Sequence, residues 1–351
     1  MGSEGLKMYN VREVEFDELD VREWNELLSK SEVCDAFQTF EWAQVLRNSL
    51  DVDPLFLLFD DGGETIGGVM ALQKKMFGIA KSYETRGGPL YIGKNGTIVM
   101  ENILRVFQRK KRRSMYLLFI PFPLINSRFR SSFETNGYHP VVFRTIIIDL
   151  KRPLERIWHA LEKEARWGVK KAERLGVKVE IAGTWKEWKE YYNLQVHHGR
   201  KKRYSTDPYS FFKEMFKLHS KGMSRLFIAK YEAQIIAGSL FLIYGKNMIF
   251  LQNASLDAFL SYNPNNLIQW KSIVWAQENG VETYDMNGLP LEETFYLRGV
   301  YEYKKRWDGS IQWYYYYLDN RLLGSAVQLV NSSFSAWRMF SWLRNHWVIS
   351  R

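Results

Sequence analysis

An α/β fold built as two similar lobes is what the sequence predicts, and three observations carry the prediction. The chain has 351 residues, enough for two ordinary domains, and its 46% hydrophobic and 25% charged residues make a globular composition. An apolar hairpin pattern then occurs twice. Leu55-Phe56-Leu57-Leu58-Phe59-Asp60, a turn with Gly62 and Gly63, and Thr65-Ile66-Gly67-Gly68-Val69-Met70-Ala71-Leu72 form the first copy. Arg225-Leu226-Phe227-Ile228-Ala229-Lys230, a turn through Glu232, and Ile235-Ile236-Ala237-Gly238-Ser239-Leu240-Phe241-Leu242 form the second. Finally, helical segments flank both copies: Ser31 to Leu46 and Met100 to Arg113 around the first, Ser210 to Ser220 and Asn266 to Asn279 around the second. Apolar hairpins are common, so coincidence is the competing explanation, but the repeated order of helix, hairpin and helix favours duplication.

Composition narrows the function classes. The longest charge-free apolar stretches, near Tyr116 to Ile125 and Ile235 to Tyr244, are too short to span a bilayer, and the opening residues lack the apolar core of a secretion signal; the chain reads as cytoplasmic. Cys34 is the single cysteine, which excludes a disulfide framework and a multi-cysteine metal site. Against 39 Asp and Glu stand 49 Lys and Arg, a net charge of +10 that suits an anionic partner and equally suits solubility. Aromatic residues make up 16%, and most are expected in cores because no recognition module repeats around them.

The first lobe is expected to close with Arg144-Thr145-Ile146-Ile147-Ile148-Asp149-Leu150, a β-branched strand that runs into Lys151-Arg152-Pro153. Pro153 suits the start of a helix from Leu154. In the next segment Lys163, Arg166, Lys170 and Arg174 share one face at helical pitch, a basic stripe tempered by Glu162, Glu164 and Glu173. It is either a solvated face or an anion-binding one. Gly199-Arg200-Lys201-Lys202-Arg203-Tyr204-Ser205 lacks apolar periodicity and is expected as a basic loop, where Arg203 and Tyr204 join Lys170 and Arg174 as candidate ligands of a phosphate-rich substrate. His197 and His198 have no acidic companion at a metal-ligand spacing, and no metal site is expected.

Tyr262-Asn263-Pro264-Asn265-Asn266 leads into an apolar stripe of Leu267, Trp270, Ile273 and Val274, with Gly280 as the stop. Asn265 or Asn266 caps this helix, and its first amides either serve that ordinary cap or receive an anionic group. Val281 to Gly288 reads as a strand ending in Asp285-Met286-Asn287-Gly288. A carboxylate there can bind or deprotonate an attacking amine, or it can cap the following turn; both readings of Asp285 stand. Tyr301 to Gly309 is aromatic and basic, and it precedes a strand at Ile311 to Tyr317. Lys304 can balance substrate phosphate or charge on an acyl carbonyl, whereas Lys305 and Arg306 can be solvated neighbours.

Several chemistries leave no trace. The chain has no GxxxxGK[ST], HExxH or GxSxG motif. Cys34, among Val33, Phe37 and Phe40, reads as a buried structural thiol, and Gly67-Gly68 and Gly87-Gly88 as strand distortion or tight loops.

Thr39-Phe40-Glu41-Trp42-Ala43, Lys170-Lys171-Ala172-Glu173-Arg174-Leu175-Gly176-Val177, Asn263-Pro264-Asn265-Asn266-Leu267, Tyr284-Asp285-Met286-Asn287-Gly288 and Tyr303-Lys304-Lys305-Arg306-Trp307 follow one another in an order that resembles the FemAB-type aminoacyl and peptidyl transferases and their acetyltransferase-like relatives. The resemblance runs from about Phe37 to Ile311. It implies an α/β (α+β) fold of two tandem acetyltransferase-like lobes, with mixed sheets flanked by helices. The lobes would occupy residues 1–150 and 151–318, and an aromatic-rich segment, 319–351, would pack back on the first.

The same resemblance implies N-acyl transfer from an activated ester or thioester to a substrate amine. Aminoacyl-tRNA or acyl-CoA would be the donor, with no tightly bound cofactor. By similarity Asp285 and Lys304 take the catalytic positions, with Lys170, Arg174, Arg203, Tyr204, Asn265, Asn287 and Arg306 as substrate ligands. The family pattern has Phe-Lys and then Phe-Gly where this chain has Tyr303-Lys304 and Trp307-Asp308, a departure that bears on substrate geometry. A CoA-dependent N-acetyltransferase is the alternative, although the stretch from Asn253 to Asn266 lacks the glycine-rich loop of conventional CoA sites. A noncatalytic RNA-binding scaffold is another. Phe334, Trp337, Phe340, Trp342 and Trp347 in the tail suggest peripheral membrane contact more weakly.

Overall fold

The computed structural model describes residues 9–33, 35–50, 52–76, 80–111, 114–202, 205–289 and 298–319. Cys34, Arg203, Tyr204 and the aromatic tail lie outside them. The described residues divide into two compact units, one of 9–143 with 313–319, the other of 144–312.

The first unit begins with β1 (Asn10–Glu15), α1 (Val21–Lys30) and α2 (Phe40–Ser49). The helix expected over Ser31 to Leu46 is therefore corrected: a polar connection runs from Ser31 to Thr39, and α-helix begins only at Phe40. Asp35 accepts from Phe37 N (2.8 Å), and buried Gln38 accepts from Met70 N (2.7 Å) and donates to the Arg86 carbonyl (2.7 Å). These side chains stabilise non-helical backbone until Thr39, whose hydroxyl accepts from Trp42 N at 3.1 Å, starts α2. Then follow β2 (Asp53–Asp61), β3 (Glu64–Met76), β4 (Ala80–Arg86), β5 (Leu90–Tyr91), α3 (Gly96–Lys111), β6 (Ser114–Ile120), α4 (Arg130–Thr135) and β7 (His139–Asp149). β1, β2, β3 and β4 pair antiparallel in that order, β5 pairs β3, and β6 lies parallel to β4.

The second unit contains α5 (Leu154–Ala160), α6 (Lys163–Arg174), β8 (Lys178–Ile181), α7 (Trp185–Lys202), α8 (Tyr209–Ser220), β9 (Ser224–Tyr231), β10 (Gln234–Tyr244), β11 (Asn247–Ser255), α9 (Pro264–Glu278), β12 (Thr283–Asp285) and α10 (Arg298–Lys305), followed by β13 (Ser310–Leu318). Its sheet repeats the first pattern: β8, β9, β10 and β11 are antiparallel neighbours, and β12 lies parallel to β11 after the α9 crossover.

Matching positions do matching work in the two units. Gly68 sits where a Cβ would come 2.7 Å from the Leu57 carbonyl and 3.0 Å from Trp24 of α1; at Gly238 it would come 2.6 Å from Tyr191 of α7. In each case a ring on a preceding helix rests directly on strand backbone. The hairpin turns match as well, with positive φ at Gly62 (60°) and Gly63 (94°) and again at Glu232 (47°) and Ala233 (68°).

The units are not consecutive in sequence, which modifies the tandem expectation. Within the second unit, Ile147, Ile148 and Asp149 at the end of β7 pair antiparallel with Asp285, Tyr284 and Thr283. Within the first unit, Tyr317 and Leu318 of β13 pair with Phe119 and Leu118. The first unit thus takes residues 313–319 from beyond its N-terminal stretch, and β7 and β13 carry residues of both units. In the second unit Ile148, Leu161, Val169, Phe241, Met248, Leu267, Tyr284 and Trp307 share one core; in the first, Leu57, Phe59, Ile103, Phe107, Phe119 and Phe133 do.

Candidate active site

The short strand β12 ends where two parallel strands part. β11 and β12 pair only over 247–249 and 283–285. Beyond that point β11 continues to Ser255, while the other chain turns toward β7: Met286 N donates to the Ile146 carbonyl (2.9 Å) and Leu289 N to that of Arg144 (2.7 Å). The opening lies at the carboxyl ends of the strands, the place where open α/β sheets bind ligands.

Asp285 and Asn287 shape the turn at this opening. Asn287 has φ +55°, and its N–H donates to Asp285 Oδ1 at 2.7 Å, a turn that a carboxylate two residues back stabilises. Thr145 donates its hydroxyl to the same oxygen. Gly288 N donates to Asn287 Oδ1 at 3.0 Å. The capping role of Asp285 is thus present in the geometry, with Thr145 as a partner the sequence reading missed. Its one available signal was a lone hydroxyl beside the apolar run Ile146-Ile147-Ile148.

Lys304 faces this turn from α10, a helix that buries Tyr301 and Lys304 three residues apart. It is only 8% exposed. Its Nζ donates to the carbonyls of Met286 (2.7 Å), Asn287 and Gly288 (2.8 Å), which matches the three N–H bonds of an ammonium. The Phe250 ring of β11 lies 5.7 Å away. Burial pushes Lys304 down to about 8, against the opposing pull of the Asp285 carboxylate. The three carbonyl dipoles also favour the charged form.

Asn265 joins from the start of α9. Its carbonyl accepts from Tyr303 Oη (3.0 Å), its Nδ2 donates to Ser255 Oγ (3.4 Å), and its buried Oδ1 has no hydrogen-bond partner among the described residues. An unpaired buried acceptor suits a donor on a ligand or water. The helix cap itself is Asn263, at φ 54°, rather than Asn265 or Asn266, which sit in the first turn. Burial raises the Tyr303 phenol, and the positive charge of Arg306 opposes that rise.

The structure brings Asp285, Asn287, Lys304 and Asn265 together, with Arg306 two residues past Lys304. Lys170 and Arg174 lie exposed on α6, outside this hydrogen-bonded cluster. Gly199 to Lys202 form the last turn of α7, correcting the expected loop, and Lys201 pairs with Asp257. Arg203 and Tyr204 fall outside the described residues. Among the described residues no cluster of three or more His, Cys, Asp or Glu could hold a metal, and no helix is long and apolar enough to cross a membrane.

Residues 160–305 match the model of the acetyltransferase (GNAT) domain, a span that holds the whole cluster except Thr145 and Arg306. The crystal structure of FemX superposes with a TM-score of 0.71 at 14% identity, covering 90% of this chain and all of FemX. The chain has the FemX fold. It is 20% identical over 290 residues to the UDP-N-acetylmuramoylpentapeptide-lysine N(6)-alanyltransferase of Weissella viridescens, spanning 78% of this chain and 85% of that one. The C-terminal domain of a putative lysylphosphatidylglycerol synthetase from Agrobacterium fabrum follows with a TM-score of 0.61 at 11% identity, over 88% and 95% of the two chains. These likenesses relate the chain to the FemX-like and GNAT-like transferases at the level of the superfamily.

Proposed function

We propose that this protein is an N-acyltransferase of the FemAB type, moving an aminoacyl or acyl group from an activated ester or thioester to a substrate amine. The observation that carries the reading is the buried Lys304 ammonium beside Asp285 at the parting of β11 and β12. In the proposed reaction the amine attacks the donor carbonyl, forming the C–N bond, and the alkoxide or thiolate of the donor departs with the acyl C–O or C–S electron pair. Asp285 positions the amine and receives its proton. Lys304 stabilises negative charge on the acyl oxygen through its field, since its three N–H bonds are taken by carbonyls. Asn265 Oδ1 accepts from an incoming N–H group.

The likeness to an alanyltransferase that modifies a lysine amine favours an aminoacyl donor and a primary-amine acceptor. The test incubates the purified protein with a mixed aminoacyl-tRNA pool, and separately with acyl-CoAs, each beside amine acceptors including lysine-bearing cell-wall precursors. Acceptor mass is the readout. A tRNA-dependent gain supports the aminoacyl reading and identifies the residue moved; a gain only with CoA thioesters moves the protein to the acetyltransferase branch; no gain with either, across the acceptor set, counts against transfer.

A further inference from the structure

Helix α6 presents an outer face that the transfer cluster does not use. At 3.6 residues per turn, Lys163, Lys170, Lys171 and Arg174 fall within about 60° of Trp167 around the helix. Ala165, Gly168, Val169 and Ala172 are buried on the other side. Trp167 is 55% exposed, and Lys171 Nζ lies 4.8 Å from the centre of its ring. Lys163, Lys170 and Arg174 are exposed. Arg166 is not part of this face, because its guanidinium donates to the carbonyls of His159 (2.8 Å) and Leu161. The basic stripe read from sequence is therefore rearranged around a tryptophan.

We propose that this face of α6 binds a single-stranded polynucleotide, with Trp167 stacking on a base and Lys163, Lys170, Lys171 and Arg174 contacting phosphates. An exposed ring set among cations supplies the two elements that such binding needs, a stacking platform and a charge track for the backbone. A lipid surface fits less well. Membrane-lying helices insert a broad apolar face, whereas Trp167 is the one apolar residue among these four cations, with Glu164 at the edge.

The face also belongs to the same body as the transfer cluster. Glu162 N, at the start of α6, donates to the Arg306 carbonyl at 3.1 Å. On the buried side Gly168 leaves room for Asn266 of α9, whose Nδ2 would stand 2.6 Å from a Cβ there. The inference deepens the transfer reading, and rests on it for identifying the polynucleotide as part of the donor. Binding itself can be measured without transfer.

The test is fluorescence anisotropy with a labelled, unstructured 12-nucleotide RNA over a salt series. Trp167→Ala should weaken binding about fivefold or more, and Trp167→Phe should retain most of it, since base stacking needs an aromatic face. Lys170→Ala with Arg174→Ala should flatten the dependence of log K on log salt by about 1.4, the value for two lost phosphate contacts on a single strand. All three changes are at exposed positions, and unchanged circular dichroism checks the fold. Variants that bind RNA like the wild type overturn the proposal. So does Trp167-dependent binding to phosphatidylglycerol vesicles with none to RNA. If no acyl transfer occurs but RNA binding depends on Trp167, the inference stands while the transfer reading fails. Full tRNA-dependent transfer at unchanged KM by Trp167→Ala overturns the inference alone.

Discussion

Replacing Lys304 by Met separates the charge of this residue from its bulk. The side chains have similar length, so the core around Tyr301 and Trp307 keeps its packing while the ammonium is lost. Two effects on folding oppose each other. The drop of Lys304 from 10.5 to about 8 corresponds to about 3 kcal/mol by which the fold disfavours the charged form, and Met relieves that burden. Against this, the carbonyls of Met286, Asn287 and Gly288 lose their donor; that of exposed Gly288 turns to water, while the group at buried Met286 loses about 1 to 3 kcal/mol. Net stability at pH 7 should therefore change by less than about 2 kcal/mol. Acyl transfer should fall at least tenfold, because the field at the acyl oxygen is gone.

The pH dependence supplies a sharper signature. A lysine whose folded-state value lies below its unfolded value gives up its proton in the fold first. Between pH 8 and 10.5 the unfolded chain then binds more protons, and stability rises with pH. Urea denaturation of wild type and Lys304→Met at intervals from pH 7 to 10.5 should show the wild type gaining up to about 3 kcal/mol on the variant across that window. Over the same window wild-type transfer should decline as the ammonium is lost. A stability difference that stays flat, or a variant that keeps full transfer, would refute the reasoning.

Three further outcomes are expected. Glu187 closes a capping box at the start of α7, accepting from Thr184 N (3.2 Å) and Thr184 Oγ1 (3.0 Å) and pairing with Lys230 (2.9 Å). Burial pushes its carboxyl up, but Lys230 and Thr184 prevail and hold it near 2, below its ordinary 4.5, so the stability it adds is present above pH 4.5 and lost as pH falls toward 2. Glu187→Gln should cost about 1 to 2 kcal/mol at pH 7 and lessen the acid sensitivity in that window, as followed by thermal melts. Gly238→Ala forces a Cβ against Tyr191 and should lower stability by about 1 to 3 kcal/mol in urea titrations; a neutral result would mean α7 shifts freely on the sheet. Ala233→Gly relieves a left-handed residue at φ 68° in the β9–β10 turn and should raise stability by up to about 1 kcal/mol, measured by the melting temperature.

The hairpins and crossover helices were legible because their apolar residues repeat at strand and helix periods over long enough runs. Sequence reading failed where distant partners decide local structure. Gly199 to Lys202 looked like a loop because four cations follow one another, yet the buried series Trp188, Tyr191, Leu194 and Gln195 continues into Gly199 at helical spacing. The expected helix over Ser31 to Leu46 broke because Gln38 spends its amide on Met70 and Arg86, residues 32 and 48 positions away. In the candidate site, motif order pointed to Asp285 and Lys304 but carried no sign that the lysine faces three successive carbonyls. That arrangement needs Asn287 in a left-handed conformation and α10 folded back across 16 to 18 residues.

The two copies of the fold differ at the point where chemistry is expected. In the first unit β4 and β6 stay paired to the end of both strands, Arg86 opposite Ile120, and the pairing runs on as Gly87 N donates to the Ile120 carbonyl (2.8 Å) and Phe122 N to that of Gly88 (3.2 Å). The Asp35 carboxylate fills the space beside Gly87, within 2.3 Å of where a Cβ would be. No wedge opens between these strands. In the second unit the corresponding pair separates after Ile249 and Asp285: Met286 N turns to the Ile146 carbonyl, Asp285 draws the Asn287 amide into a turn, and Lys304 gathers the carbonyls of Met286, Asn287 and Gly288. A strand split exposes backbone groups that must find partners, which makes it unfavourable unless side chains supply them. Asp285 and Lys304 do so in the second unit, and Thr145 donates to the Asp285 carboxylate. The same residues that hold the cleft open also bring a carboxylate and a buried cation to its edge, so in this chain the opening and its charge have one structural cause.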